Sequence, residues 1–162
     1  MKKMIRVKTG IGFDVHAFEK GADLFLGGVK IPYKYGLKGH SDADVLIHAI
    51  IDAIVSPALA TDIGKLFPDS DDSYKGIDSK ILLKKSVEMV RDKGFEICNI
   101  DTVIIAQEPK ISPYIFDMRE ILSEVLNISI EDITIKGTTT EYLGFTGRKE
   151  GIAAVAIATL IY

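Results

Sequence analysis

Apolar and polar residues alternate through residues 10–18, Gly-Ile-Gly-Phe-Asp-Val-His-Ala-Phe. In an extended chain, Ile11, Phe13 and Val15 fall on one side and Gly12, Asp14 and His16 on the other. The first strand is expected over residues 5–13, with the alternation running on from Ile11. Leu24-Phe25-Leu26 and Val29-Lys30-Ile31 flank Gly27-Gly28, the pattern of a hairpin with a glycine turn. Residues 33–38 read as a loop. Gly39-His40-Ser41-Asp42-Ala43-Asp44 then announces a helix, with Ser41 as N-cap and Asp44 completing a capping box. That helix runs to Ile54 or Ser56, and Pro57 leaves its end open.

Residues 60–77 form an 18-residue connection, longer than is usual in a compact domain and hence a functional or mobile segment. A second helix, capped by Asp78 or Ser79, carries Leu82, Leu83, Ser86, Val87 and Val90 and ends at Gly94. Residues 97–106 read as a strand and residues 107–110 as a tight connection. A third helix starts near Ser112-Pro113, with stripe Ile115, Met118, Leu122 and Val125, and Asn127 ends it. Residues 133–136 form a short strand. Residues 151–161 are apolar on both faces, which places the last strand centrally in a sheet or against a partner.

This mixed order of helices and strands predicts an α+β fold: a two-layer sandwich with helices on one face of a mixed four- to five-stranded sheet. The other face is left apolar and calls for a second copy of the chain. The length of 162 residues suits one domain.

The first long helix has an unusual polar line. Asp44, His48 and Asp52 are four residues apart and share a side, opposite Leu46, Ile50 and Ala53. Ile47 and Ile51 are apolar too, so little of the helix faces solvent. A sheltered line of two carboxylates and an imidazole must be paired or must bind something.

Net charge is −3 with both signs mixed, so there is no basic footprint for nucleic acid. The single cysteine, Cys98, excludes an internal disulfide and thiolate metal sites. The N-terminal lysines are followed by no apolar stretch, so no targeting segment is read. The run 152–162 is too short to span a bilayer. A cytoplasmic, bacterial setting is expected.

Asp14, His16 and His48 make a set of two imidazoles and one carboxylate, enough for three corners of a tetrahedron with the fourth open to substrate or water. Zinc is the first choice; manganese and iron stay open. The alternative for Asp14 and His16 is a surface pair on an edge strand, and for His48 a hydrogen-bonded core histidine. His40, the Ser41 hydroxyl and the N–H groups at the helix start could form a phosphate site. Thr138, Thr139, Thr140 and Glu141 offer hydroxyls and an acid that suit a hydrated Mg²⁺ on phosphates. Lys136 and Arg148 could neutralise phosphate charge.

The blocks GIGFDVHAF, LGGVKIPYKYGLKGHSDADVLIHAIIDAI, DIGKLFPDSDDSYKGIDS, IIAQEPKI and TTTEYLGFTGRKEGIA together resemble the 2-C-methyl-D-erythritol 2,4-cyclodiphosphate synthase family over nearly the whole chain. The resemblance implies a homotrimer with active sites between adjacent subunits. It implies cyclisation of 4-diphosphocytidyl-2-C-methyl-D-erythritol 2-phosphate with release of CMP, in the non-mevalonate route to isoprenoids. Asp14, His16 and His48 match zinc ligands. His40 and Thr139 match residues assigned to transition-state stabilisation. Ser41 with Asp62, Ile63, Gly64, Phe67, Pro68 and Asp69 match contacts to the methylerythritol phosphate part. Ala106, Gln107, Glu108, Pro109, Lys110 and Ile111, with Thr138, Thr139, Thr140 and Glu141, match the cytidine and diphosphate pocket. Glu141 matches the ligand of a second ion, Mg²⁺ or Mn²⁺, and Phe145 and Arg148 match further substrate contacts. An isoprenoid diphosphate on the trimer axis is also compatible with it.

The sequence departs from the family pattern at Ser56-Pro57, Thr61 and Gly137. Two other readings stay open: a zinc-dependent phosphate-ester hydrolase, and a non-catalytic trimer that binds nucleotide or isoprenoid diphosphate.

Overall fold

The structure, a computed structural model, describes residues 5–162. The expectation of no targeting segment rests in part on residues 1–4, which lie outside the described residues. Strand β1 (Val7–Lys20) is followed by the hairpin β2 (Leu24–Leu26) and β3 (Val29–Ile31), then β4 (Tyr35–Leu37). Helix α1 (Val45–Leu59), the short α2 (Ile63–Leu66) and α3 (Ser79–Asp92) come next, then β5 (Glu96–Ile105) and α4 (Ile115–Leu126). Strand β6 (Ile133–Thr138), the single turn α5 (Gly144–Gly147) and β7 (Gly151–Ile161) complete the order.

Five strands form one sheet in the order β4-β1-β7-β5-β6. Only the β5–β6 pair is parallel; the rest are antiparallel. The apolar β7 lies at the centre, as its two-faced pattern requires. Strand β1 runs well beyond the expected end at residue 13, because β7 pairs with it from Val7 opposite Ile161 to Ala17 opposite Gly151. Helix α1 lies across β1 and β7, α3 packs on α1, and α4 packs beside β6. The α+β arrangement with helices on one face is the one expected. Among the described residues, no helix is long and apolar enough to cross a membrane.

The alternation in β1 puts its glycine side, not its apolar side, against the helices. A Cβ on Gly10 would stand 2.0 Å from the Ala53 carbonyl oxygen, and one on Gly12 would stand 1.8 Å from that of Ala49. Any side chain there would lift α1 off the strand. The facing residues of β7, Ala154, Ala156 and Ala158, are small and fully buried. Bulk comes from the helix: Leu46, Ile47, Ile50, Ile51 and Ile54 are all fully buried. Because residues two apart share a face, the row Gly10-Gly12 continues as Asp14-His16 and aims both side chains at the start of α1.

On the other sheet face Ile11 and Phe13 are 67% and 57% exposed, beside Val15 and Ile157. Among the described residues, nothing covers this apolar patch.

The start of α1 differs from the expectation. Its N-cap is Asp44, not Ser41: the Asp44 carboxylate accepts the Ile47 N–H at 3.0 Å. Ala43 adopts a left-handed conformation (φ 57°), which delays the helix and frees Ser41. The same carboxylate accepts the N–H groups of Gly27 at 3.0 Å and Gly28 at 2.7 Å. Those N–H groups point at it because both glycines of the hairpin turn have positive φ. Asp44 therefore ties the hairpin to the helix while fully buried.

Helix α1 also passes through Pro57 and ends at Leu59. The Ala53 carbonyl, which Pro57 cannot serve with an N–H, is the group packed against Gly10. The long connection is partly ordered: Asp62 caps α2, and Asp52, the third member of the polar line, accepts the Ile63 N–H at 2.7 Å. A 3₁₀ turn at Asp72–Tyr74 follows.

Candidate active site

Asp14, His16 and His48 converge. Asp14 Oδ2 lies 2.9 Å from His16 Nε2 and 3.1 Å from His48 Nδ1. The two imidazole nitrogens lie 3.1 Å from each other. Zinc–nitrogen bonds of 2.0–2.1 Å place tetrahedral ligands about 3.3 Å apart, so the observed triangle has the size that one ion needs.

The remaining ring nitrogens decide the proton positions. His16 Nδ1 donates to the Lys38 carbonyl at 2.7 Å, which leaves Nε2 bare. His48 Nε2 lies 3.0 Å from Ser79 Oγ and 3.1 Å from Ser41 Oγ. With Nε2 carrying the proton, Nδ1 also presents a lone pair. Two bare nitrogens and a carboxylate oxygen then face one another, which is unfavourable unless a cation or a proton sits among them.

The electrostatics agree. Burial pushes Asp14 upward, but hydrogen bonds and charge from His16 and His48 outweigh it and hold the carboxyl far below the usual range. Burial pushes His16 downward, yet the Asp14 carboxylate raises it overall. Among the described residues these three form the one cluster of histidine, cysteine and acidic side chains close enough to hold a metal. The set fits a divalent cation.

The triad opens into a cavity of about 600 Å³. Of the residues expected at the methylerythritol end, His40, Ser41, Ile63, Gly64, Phe67, Pro68 and Asp69 line it. Asp62 does not line it; its carboxylate is spent on the Lys65 N–H at 2.9 Å. The helix-start phosphate site is also corrected. The first turn of α1 is capped by buried Asp44; its Val45, Leu46 and Ile47 are fully buried, and only His48 of that turn reaches the cavity. Beside it, the His40 and Ser41 side chains face the cavity. Lys38, Gly39, Tyr74 and Leu82 complete the wall and were not anticipated from the sequence.

A second cavity, of about 660 Å³, lies at the ends of the parallel strands β5 and β6. The expected Ala106, Gln107, Glu108, Pro109, Lys110, Ile111, Thr138, Thr139 and Glu141 line it, joined by Ser112, Ile115 and Gly137. Gln107 accepts the Tyr142 N–H at 3.1 Å. Glu108 is held between the Tyr33 hydroxyl at 3.1 Å and Lys149 Nζ at 2.6 Å. These two side chains brace the loop that lines the cavity. Glu141 Oε1 accepts from the Thr139 hydroxyl at 3.2 Å. Gly137 stands where an alanine Cβ would lie 3.3 Å from Ile111 Cβ, so this departure widens the wall by one methyl group.

Besides Asp62, three expected contacts stay outside both cavities. The Thr140 hydroxyl is bonded to the Leu143 carbonyl at 2.6 Å and to Thr146 at 2.9 Å. Arg148 pairs with Glu150 at 3.0 Å. Phe145 is exposed. Ser56, Pro57 and Thr61 also line neither cavity, so those departures sit away from the walls. The two cavities share no residue.

Ser79 and Asp42 are functional neighbours that the sequence did not mark. Both disappeared into helix-start signals, and only the fold brings Ser79 back to His48.

Fold and site together define a class: an α+β protein with a candidate divalent-cation site opening into a cavity. The model of the YgbB family matches residues 7–161, and the chain belongs to that family. A 2-C-methyl-D-erythritol 2,4-cyclodiphosphate synthase from Porphyromonas gingivalis is 55% identical over 161 residues, 99% of this chain and 98% of its own. The synthase of the same name from Clostridium acetobutylicum is 57% identical over 155 residues, 96% of this chain and 100% of its own. Among solved structures, the CDP complex of Plasmodium falciparum IspF superposes with a TM-score of 0.84 at 36% identity, covering 96% of each chain.

Proposed function

We propose that this chain converts 4-diphosphocytidyl-2-C-methyl-D-erythritol 2-phosphate to 2-C-methyl-D-erythritol 2,4-cyclodiphosphate and CMP, as its relatives' names describe for them. It is then a phosphorus–oxygen lyase of non-mevalonate isoprenoid biosynthesis, one synthase domain over residues 1–162, working in the cytoplasm. The observation that carries the reading is the inward-facing triangle of Asp14, His16 and His48 at the floor of an open cavity.

The chemistry asks for charge control and positioning. An oxygen of the 2-phosphate attacks the β-phosphorus, the bond from that phosphorus to the bridging oxygen breaks, and CMP leaves with that oxygen. The nucleophile is already an anion, so no strong base is required. Asp14, His16 and His48 would hold a divalent cation, zinc in our reading, which would supply positive charge against the phosphates. His40 and the Ser41 hydroxyl face the same cavity and hold the methylerythritol phosphate end, with Ile63, Gly64, Phe67, Pro68 and Asp69 around it. Thr138 and the backbone of residues 106–111 hold the cytidine diphosphate end. His40 and Thr139 donate to oxygens that gain charge in the transition state. Glu141 is a lone carboxylate; a second ion there, Mg²⁺ or Mn²⁺, would draw its remaining ligands from the substrate's phosphates and water. Holding the bent substrate in line can be worth on the order of 10⁵ M in effective molarity.

His40 and Thr139 stand in separate cavities of one chain, and the sheet face that carries Ile11 and Phe13 is bare. Both facts support a homotrimer whose active sites join the first cavity of one subunit to the second cavity of its neighbour. Phe145 and Arg148, outside both cavities in one chain, are available to that junction.

The test is incubation of the purified protein with the diphosphocytidyl substrate and Mg²⁺, with and without a chelator. The expected products are CMP and the cyclic diphosphate, without oxygen from labelled water. A ring-opened product carrying solvent oxygen supports the hydrolase instead, and binding without turnover supports a sensor.

A further inference from the structure

We propose that Asp42 and Ser79 form a relay that sets the proton on His48, fixing its ring as a ligand through Nδ1. The inference rests on reading Asp14, His16 and His48 as a metal site. Ser79 is fully buried at the start of α3, and its hydroxyl donates to Asp42 Oδ1 at 2.5 Å. That hydroxyl proton is therefore engaged. The oxygen, 3.0 Å from His48 Nε2, is left to accept. His48 must then donate from Nε2, and its bare Nδ1 is the nitrogen that faces Asp14 and His16.

Asp42 is itself held on both sides. Its Oδ2 accepts the Ser79 N–H at 3.1 Å, and its Oδ1 accepts the Asp44 N–H at 3.2 Å. Its own N–H donates to the Ile77 carbonyl at 3.1 Å. The carboxylate thus grips the backbone and the hydroxyl of Ser79 together, and so joins the end of the 60–77 connection to the metal ligand. Ser41, also within reach of Nε2, accepts the Ala43 N–H at 3.2 Å, stands 3.4 Å from Ser79 Oγ and lines the cavity. Its hydroxyl serves the substrate, while that of Ser79 serves the histidine. Outer groups of this kind fix a ligand's tautomer and make it more basic, and their loss costs about 10–100-fold in metal affinity.

A purely structural role, joining the starts of α1 and α3, predicts lost stability with no change in the ring. The test therefore reads the ring. In metal-free ¹⁵N-labelled protein, long-range ¹H–¹⁵N correlation of His48 is expected to show the Nε2–H tautomer, and in Ser79→Ala a mixture of tautomers. Zinc titrated against a chromophoric chelator is expected to bind Ser79→Ala about tenfold or more weakly, and Ser79→Thr, which keeps the hydroxyl, within about threefold of the native protein. Asp42→Asn places an amide against the Ser79 N–H and is expected to weaken binding in the same direction, so it carries the measurement if Ser79→Ala does not fold. A Ser79→Ala protein with unchanged affinity and a single His48 tautomer overturns the relay. A native protein that takes up no zinc overturns the metal reading, while the metal-free spectra still decide the relay.

Discussion

His16 Nε2 and His48 Nδ1 stand 3.1 Å apart, and the opposite nitrogen of His16 donates to the Lys38 carbonyl at 2.7 Å. Two such nitrogens do not approach so closely for each other's sake. They share a neighbour in Asp14 Oδ2, and the three atoms describe a cation-binding corner built on a strand and a helix.

Removal of one nitrogen should empty that corner. His48→Ala is expected to lower bound zinc from one ion per chain to near zero, read by elemental analysis, with the circular dichroism spectrum retained. In the native protein, zinc at about 100 times its dissociation constant should add about 2.7 kcal/mol of stability that a chelator removes. His48→Ala should show no such increment. Unchanged zinc stoichiometry in the variant would remove His48 from the site.

The glycine row in β1 should be intolerant of any side chain. A Cβ on Gly12 would overlap the Ala49 carbonyl oxygen at 1.8 Å. Gly12→Ala is expected to lose about 3 kcal/mol or more in urea unfolding. It should also weaken zinc binding, because moving α1 off the strand moves His48 away from Asp14.

Tyr33 should titrate late. Burial and the neighbouring Glu108 carboxylate push its phenol up to about 12. The folded value lies above the ordinary value of about 10, so the neutral phenol favours the folded state. That contribution is full below pH of about 10 and is lost as pH rises through about 12. Ultraviolet difference titration should show one phenol of the six ionising last, and it should vanish in Tyr33→Phe. A spectrum unchanged by that substitution would contradict the assignment.

The bare sheet face should be an interface. Phe13 is 57% exposed between Ile11 and Val15. Phe13→Glu is expected to shift sedimentation from trimer to monomer at micromolar concentration, with loss of turnover because the two cavities no longer meet. A native protein that sediments as a monomer would end the trimeric reading.

Much of this architecture was legible in the chain because its periodicities are strong. The two-residue period in residues 10–18 put Asp14 beside His16, and the four-residue period put His48 on the polar side of α1. Which side of β1 faces the core was not legible, since glycines mark a core only when a helix backbone lies on them. Ser41 looked like the cap of α1; the left-handed Ala43 moved that role to Asp44, whose hairpin partners lie 16 and 17 residues earlier. Ser79 read as a cap residue because nothing in the sequence tells that its hydroxyl returns to His48. Thr140, Phe145 and Arg148 carry the right chemistry by resemblance, yet one chain alone turns them to local partners or to solvent.

That one chain divides its two cavities between separate walls has a genetic consequence. A chain damaged at His48 keeps the cavity at the ends of β5 and β6 intact, and a chain damaged at Thr139 keeps the cavity of Asp14, His16 and His48. Neither should support growth alone. Expressed together, they should assemble mixed rings in which some junctions join two undamaged halves, and activity should return to a fraction set by subunit mixing.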